Sequence, residues 1–156
     1  MKEKVVIVTG ASSGIGEATS RMLVQNGAKV MLVARREGNL KKIKTELGES
    51  ANYYVADVSN HSEMLEMSKE TISFFGSVDV LVNNAGIMPL SLISSRRVSE
   101  WEATIDVNIK GVLYGIDSVL HHMLKRGSGH IINVSSVAGH RSGAMTAVYA
   151  GTKFAV

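Results

Sequence analysis

The sequence predicts a doubly wound α/β fold, an open parallel sheet with helices on both faces and the strand order 3-2-1-4-5. Three observations predict it. Short β-branched runs alternate with longer amphipathic stretches along the 156 residues, the βαβ pattern that makes strands run parallel. The runs are apolar at nearly every position rather than at every second one, so both faces of each strand are covered. Right-handed crossovers then favour this order for five such units.

The first strand is VVIVTG (5–10), followed by a glycine-rich turn and a helix over about 15–26. AKVMLVA (28–34) is the second, with a helix over 37–47, and NYYVA (52–56) the third, with a helix over 61–75. VDVLVNN (78–84) and HIINVSS (130–136) are the fourth and fifth, separated by a long helix over 99–126. Asn60 with Glu63, and Ser99 with Glu102, have the N-cap and N3 spacing of capping boxes. The long helix carries Ile105, Ile109, Val112, Ile116, Val119 and Met123 at three- and four-residue steps, widened by Trp101, Leu113, Leu120 and Leu124. That stripe exceeds what one sheet face needs and predicts a second buried surface, a contact between copies of the chain in a dimer or tetramer. No repeat, low-complexity tract or linker interrupts the chain, which reads as a single domain over 1–156.

Composition narrows the function classes. With 45% hydrophobic and 20% charged residues the chain can bury a full core. The net charge of +3 is spread out, and its densest run, REGNLKKIK (36–44), reads as a solvated helix face, so no nucleic-acid partner is expected. Cysteine is absent, which excludes disulfides, thiolate chemistry and Cys-ligated zinc and suits a reducing cytoplasm. The apolar run in MKEKVVIVTG is too short for a signal peptide, and no stretch approaches the ~18 apolar residues of a membrane span. His61, His121, His122, His130 and His140 form no metal-ligand spacing, and no metal is expected.

The turn after the first strand, TGASSGIG (9–16), spaces Gly10, Gly14 and Gly16 as G-x-x-x-G-x-G. Gly10 permits the sharp exit from the strand, Gly14 lets backbone approach a pyrophosphate, and Gly16 lets the helix lie close to the sheet. With Ser12, Ser13 and Ile15 between them, the free N–H groups of the helix start face the anion. There is no Gly-Lys-Ser/Thr, so a Walker-type triphosphatase is not supported. At the end of the second strand, VARRE puts Ala34 where a carboxylate would bind a ribose 2′-hydroxyl, and follows it with Arg35 and Arg36. Guanidinium groups there bind a 2′-phosphate, which favours NADP over NAD; replacement of Arg35 is expected to erase most of the preference. Glu37 could help neutralise the pair.

Tyr149 and Lys153 stand four apart at the start of a last helix and share one face. A free phenol has a pKa of about 10 and is a poor acid at neutrality. An ammonium about 4 Å away favours the phenolate by up to roughly 4 kcal/mol at an effective dielectric near 20, which brings a phenol into working range.

The motifs TGASSGIG (9–16), Asp57 in ADV, NNAG (83–86), Asn108 in DVNIKG, INVSSVAG (132–139) and YAGTK (149–153) occur together. In this order and spacing the sequence resembles the short-chain dehydrogenase/reductase family from one end to the other. The resemblance implies a Rossmann-type NAD(P)-binding domain and an NADP(H)-dependent oxidoreductase that interconverts a small carbonyl compound and an alcohol by hydride transfer. It makes Tyr149 the proton donor or acceptor. Lys153 eases that ionisation and hydrogen-bonds the nicotinamide ribose, Ser136 positions the carbonyl oxygen, and Asn108 holds a water in a proton relay to Lys153. Ser136 is chosen over Ser135 because it stands thirteen residues before Tyr149, the family's offset. Asp57 with Val58 would contact the adenine, and Asn83, Asn84, Ala85 and Gly86 would be cofactor-side backbone positions after the fourth strand. A full family member continues with the rest of the Tyr–Lys helix, further strands and a substrate lid. The expectation from sequence is therefore a domain incomplete after Val156 that, as a strictly 156-residue molecule, does not turn over. The alternative from another class is a nucleotide-binding or assembly fragment without activity.

Overall fold

In the computed structural model, which describes residues 2–156, β1 (Val5–Thr9), β2 (Lys29–Ala34), β3 (Ala51–Val55), β4 (Val80–Asn83) and β5 (His130–Asn133) form one sheet. All pairings are parallel and the order is β3-β2-β1-β4-β5, as the sequence predicts. Between them lie α1 (Gly14–Gln25), α2 (Glu37–Leu47), α3 (His61–Phe75), α4 (Val98–Ile105) and α5 (Gly111–Arg126); α6 (Ala147–Ala155) follows β5.

Alternate residues of the central strands feed two cores. Val6, Val8, Val30 and Leu32 pack with Leu40 and Ile43 of α2 and with Leu23 and Val24 of α1 on one face. Ile7, Met31, Val33 and Leu81 pack with Met64 and Met67 of α3 and Val119 and Met123 of α5 on the other. The uninterrupted apolar runs thus have the double coverage expected of interior parallel strands. β5 departs from it: His130, Ile132 and Asn133 at this edge are exposed. The predicted fifth strand also shortens. The Val134 amide continues the ladder to the Asn83 carbonyl at 2.9 Å, and then residues 134–136 leave the sheet to meet α6.

The Asn60–Glu63 capping box forms, with the Glu63 amide donating to Asn60 and the Asn60 amide group donating to the Glu63 carboxylate at 2.7 Å. The second box does not. The chain turns through a left-handed Arg96 (φ 49°) and enters α4 at Val98 with Arg97 as N-cap, so Ser99 already lies inside the first turn. Nor is the long helix uniform: α4 and α5 are joined by a wider π-helical turn, Asp106–Lys110, the kind of irregularity that collects at functional sites. Val112, Val119 and Met123 face the core, while Ile105, Leu113, Leu120 and Leu124 are exposed. Among the described residues no helix is long and apolar enough to cross a membrane.

Candidate active site

At the carboxyl ends of β1 and β4 the chain must turn sharply while keeping two backbones in contact. Gly10 does this with φ 67°, and a Cβ there would stand 2.9 Å from Ala85 Cα and from Asn84 Nδ2. Thr9 ties the same corner. Its hydroxyl accepts from the Asn84 and Ala85 amides, both at 3.0 Å, and donates to the Val82 carbonyl, while Asn84 Nδ2 donates to the Thr9 carbonyl at 2.9 Å. Gly14, also at positive φ, has open space where its Cβ would be. It starts α1, whose free amides and dipole favour an anion.

These corners border a cleft of about 390 Å³. Gly10, Ser12, Ser13, Ile15, Gly16, Arg35, Arg36, Asp57, Val58, Asn84, Ala85 and Gly86, the positions predicted for a cofactor, line it together with Ala34, Ala56, Ile87 and Val107. Gly14 lies outside that lining, as do Ser136, Tyr149 and Lys153 at the far end.

The two arginines face different ways. The Arg36 guanidinium donates to the Ser12 hydroxyl at 3.1 and 3.0 Å and to that of Ser13, and Asn39 Nδ2 donates to the Ser12 carbonyl at 3.0 Å. One guanidinium, two hydroxyls and the start of α1 therefore meet at one point, a donor set suited to a phosphate. Arg35 reaches Asp57 instead, at 3.4 Å, and is two-thirds exposed. Glu37 neutralises neither, because it pairs with Lys41 at 2.9 Å. Asp57 accepts from the Ser59 amide and hydroxyl at 3.0 and 2.6 Å. Burial works to raise its pKa, but the bonds from Ser59 and Arg35 outweigh that and hold the carboxyl below the usual range. It is at once a turn former and a wall of the cleft.

At the far end, buried Lys153 donates from Nζ to the Val134 carbonyl at 2.7 Å. An ammonium has three N–H groups, so this bond aims the head while leaving protons for other partners. No carboxylate offsets its desolvation, and burial pushes the Lys153 pKa down. A Cβ on Gly86 would make an ordinary contact with that Nζ, at 3.7 Å, and a tight one with Asn108 Oδ1, at 3.3 Å, so the loop after β4 lies close against both groups. Ser135 bonds the Lys153 carbonyl at 2.7 Å. Ser136 Oγ accepts from the Ala138 amide at 3.1 Å, and Tyr149 is half-buried on the first turn of α6.

Two predicted positions have side chains bonded within the protein. Asn83 does not face the cleft; it is buried against α5 and its amide donates to Asn133 and to the Val112 carbonyl, because successive strand residues point to opposite faces. The Asn108 side chain is committed to protein partners. In the π-helical turn it exchanges bonds with the Ile87 backbone, at 2.9 and 3.0 Å, and donates to Thr152 at 3.0 Å. Sequence alone does not single out Thr9, Asn39 and Thr152. Thr9 and Thr152 stood inside TGASSGIG and YAGTK, where a hydroxyl beside a required glycine or lysine was the available signal.

Comparison with known proteins agrees with this geometry. The short chain dehydrogenase family model matches residues 4–156. An uncharacterized oxidoreductase of Staphylococcus saprophyticus is 51% identical over all of this chain. Among solved structures, a closed form of serine dehydrogenase complexed with NADP+ is 38% identical over 96% of the chain with a TM-score of 0.92. A short chain dehydrogenase/reductase from Burkholderia phymatum in complex with NAD is 30% identical over 99% with a TM-score of 0.95. The chain spans 64%, 61% and 56% of the lengths of these three proteins, respectively.

Proposed function

Since the chain belongs to the short-chain dehydrogenase family, we propose that it is an NADP(H)-dependent oxidoreductase that interconverts a carbonyl compound and an alcohol. The observation that carries this reading is the arrangement along the cleft: a phosphate-suited donor set around Arg36 at one end, and Lys153 and Asn108 beside the lining residue Gly86 just beyond the other. The lining residues fit a dinucleotide, with Gly10, Ser12 and Ser13 at the turn into α1 for a pyrophosphate and Ala34 leaving room where a carboxylate would repel a second phosphate. The bound nicotinamide supplies or takes the hydride.

The chain's own groups do the rest. Tyr149 gives its phenolic proton to the carbonyl oxygen in reduction and takes it back in oxidation. Lys153, fixed by Val134, favours the phenolate and offers its remaining protons to the ribose. Ser136 holds the carbonyl oxygen in place. Asn108 acts through structure, since its side chain is committed to Ile87 and Thr152. Arg36 reads the 2′-phosphate, and Arg35, paired with Asp57, flanks the adenine. Relatives bound to NADP+ and to NAD occur side by side, so it is the Arg36 corner that supports NADP. The exposed Ile105, Leu113, Leu120 and Leu124 support a homo-oligomer through α4 and α5. The cysteine-free composition suits a cytoplasmic setting.

Steady-state assay of NADPH consumption against a panel of aldehydes and ketones tests the proposal. Turnover with NADPH preferred over NADH supports it. Tight NADPH binding with no turnover of any member would instead favour a nucleotide-binding chain without activity.

A further inference from the structure

We infer that Thr152 is a positioning residue whose hydroxyl locks the turn carrying Tyr149 and Lys153 to the π-helical turn at Asn108. The inference rests on the oxidoreductase reading for its catalytic meaning and on geometry for the lock. Buried serines and threonines in helices commonly donate to a carbonyl of the preceding turn and do nothing more. Ser20 does so to Gly16 and Thr104 to Glu100. Thr152 also donates backwards, to the Tyr149 carbonyl at 2.7 Å. In addition its oxygen accepts from Asn108 Nδ2 at 3.0 Å, a bond between residues 44 apart in sequence and buried at both ends, with Thr152 2% and Asn108 0% exposed.

The consequence runs in both directions. Asn108 exchanges two bonds with the Ile87 backbone, so the hydroxyl connects α6, the helix break and the loop after β4 in one chain of bonds. The carbonyl it holds is that of Tyr149, and the next residue along is Lys153. A displacement of the turn by about 1 Å would misplace both groups, and misplacements of that size cost on the order of 100-fold in rate. The lock needs one group that donates and accepts at once. Serine keeps it; valine keeps the shape and loses both bonds.

The test compares Thr152→Val with Thr152→Ser, and Thr152→Ala with Thr152→Ser should the valine variant not fold. Two readouts are taken: exchange of the Asn108 side-chain amide hydrogens in nitrogen-15 labelled protein, and kcat and KM with NADPH and a carbonyl substrate. The expected result for Val or Ala is Asn108 exchange faster by at least about tenfold and kcat lower by roughly 100-fold. KM and the NADPH dissociation constant should change much less than kcat, because the donors around Arg36 are untouched even though Lys153 shifts. Ser should restore both readouts. Unchanged exchange and kcat in Val or Ala would overturn the lock, as would equal losses in Ser. If the unsubstituted protein turns over no carbonyl, the oxidoreductase reading fails, while the exchange contrast between the variants still decides the lock.

Discussion

The end of the cleft proposed for the cofactor and the proposed catalytic end beside Gly86 are held together by different forces. At the cofactor end the critical parts are short turns at the ends of buried strands. Gly10 and Gly14 take left-handed backbone, and Thr9 ties two adjacent strand ends. The catalytic end brings Ile87, Asn108, Val134, Ser135, Thr152 and Lys153 from four separate segments, next to an exposed edge strand. Backbone sterics dominate the first, and a few long-range hydrogen bonds between buried polar groups dominate the second. Substitutions should therefore divide cleanly into those that damage binding or folding at one end and those that damage chemistry at the other.

The largest expected effect is catalytic. Tyr149→Phe should lower kcat by about 1000-fold or more, since general acid catalysis contributes up to ~10⁴, while the NADPH titration stays within about twofold. Loss of cofactor affinity in step with kcat would blur the division.

Next comes a pair of glycines. Gly10→Ala meets Ala85 Cα and Asn84 at 2.9 Å as well as an unfavourable φ, and should lose roughly 2–3 kcal/mol in urea unfolding. Gly14→Ala has only the backbone term to bear, since nothing stands near its Cβ, and should lose about 1 kcal/mol. Equal losses would mean that the close approach at Gly10 relaxes at little cost.

A smaller effect separates the arginines. The unmodified protein should bind NADPH at least about tenfold more tightly than NADH, equivalent to ~1.4 kcal/mol. Arg36→Ala should remove most of that difference by calorimetric titration and Arg35→Ala much less of it. The reverse result would return the phosphate-reading role to Arg35.

The smallest effect is on acid stability. Against the cost of burial, the bonds from Ser59 and Arg35 hold the Asp57 carboxyl below the ordinary aspartate value of 3.8 in the folded chain. Its contribution is thus fully present above that pH and lost as pH falls through the lower folded value. Comparing Asp57→Asn with the unmodified chain should give a difference of less than about 1 kcal/mol above pH 4, because the pair with Arg35 is solvent-screened, and the difference should vanish on further acidification. A gap that widens with acid would contradict the sign.

The same division governs what the sequence reveals. Strand order follows from apolar runs and crossover handedness, both local in origin. Side-chain direction at strand ends is harder to read. Asn83 and Asn84 are neighbours yet face α5 and the cleft respectively, and Arg35 and Arg36 diverge in the same way. The break at Asp106–Lys110 is hidden because a single π-helical turn leaves the apolar spacing of the long stripe nearly intact. Ser99 and Glu102 have the spacing of a box, but the left-handed Arg96 decides where the helix begins. Thr152 is not legible as a site residue because its partner lies 44 residues away.

Hydride transfer itself is the claim on which the functional account depends. The direct measurement is a reduction run with NADPH carrying deuterium at the transferable position of the nicotinamide, followed by mass and NMR analysis of the alcohol. The account predicts one deuterium on the carbinol carbon per molecule of product, formed by the unmodified protein and lost with Tyr149→Phe. Alcohol without deuterium at that carbon, or equal product from the Tyr149→Phe variant, would contradict it.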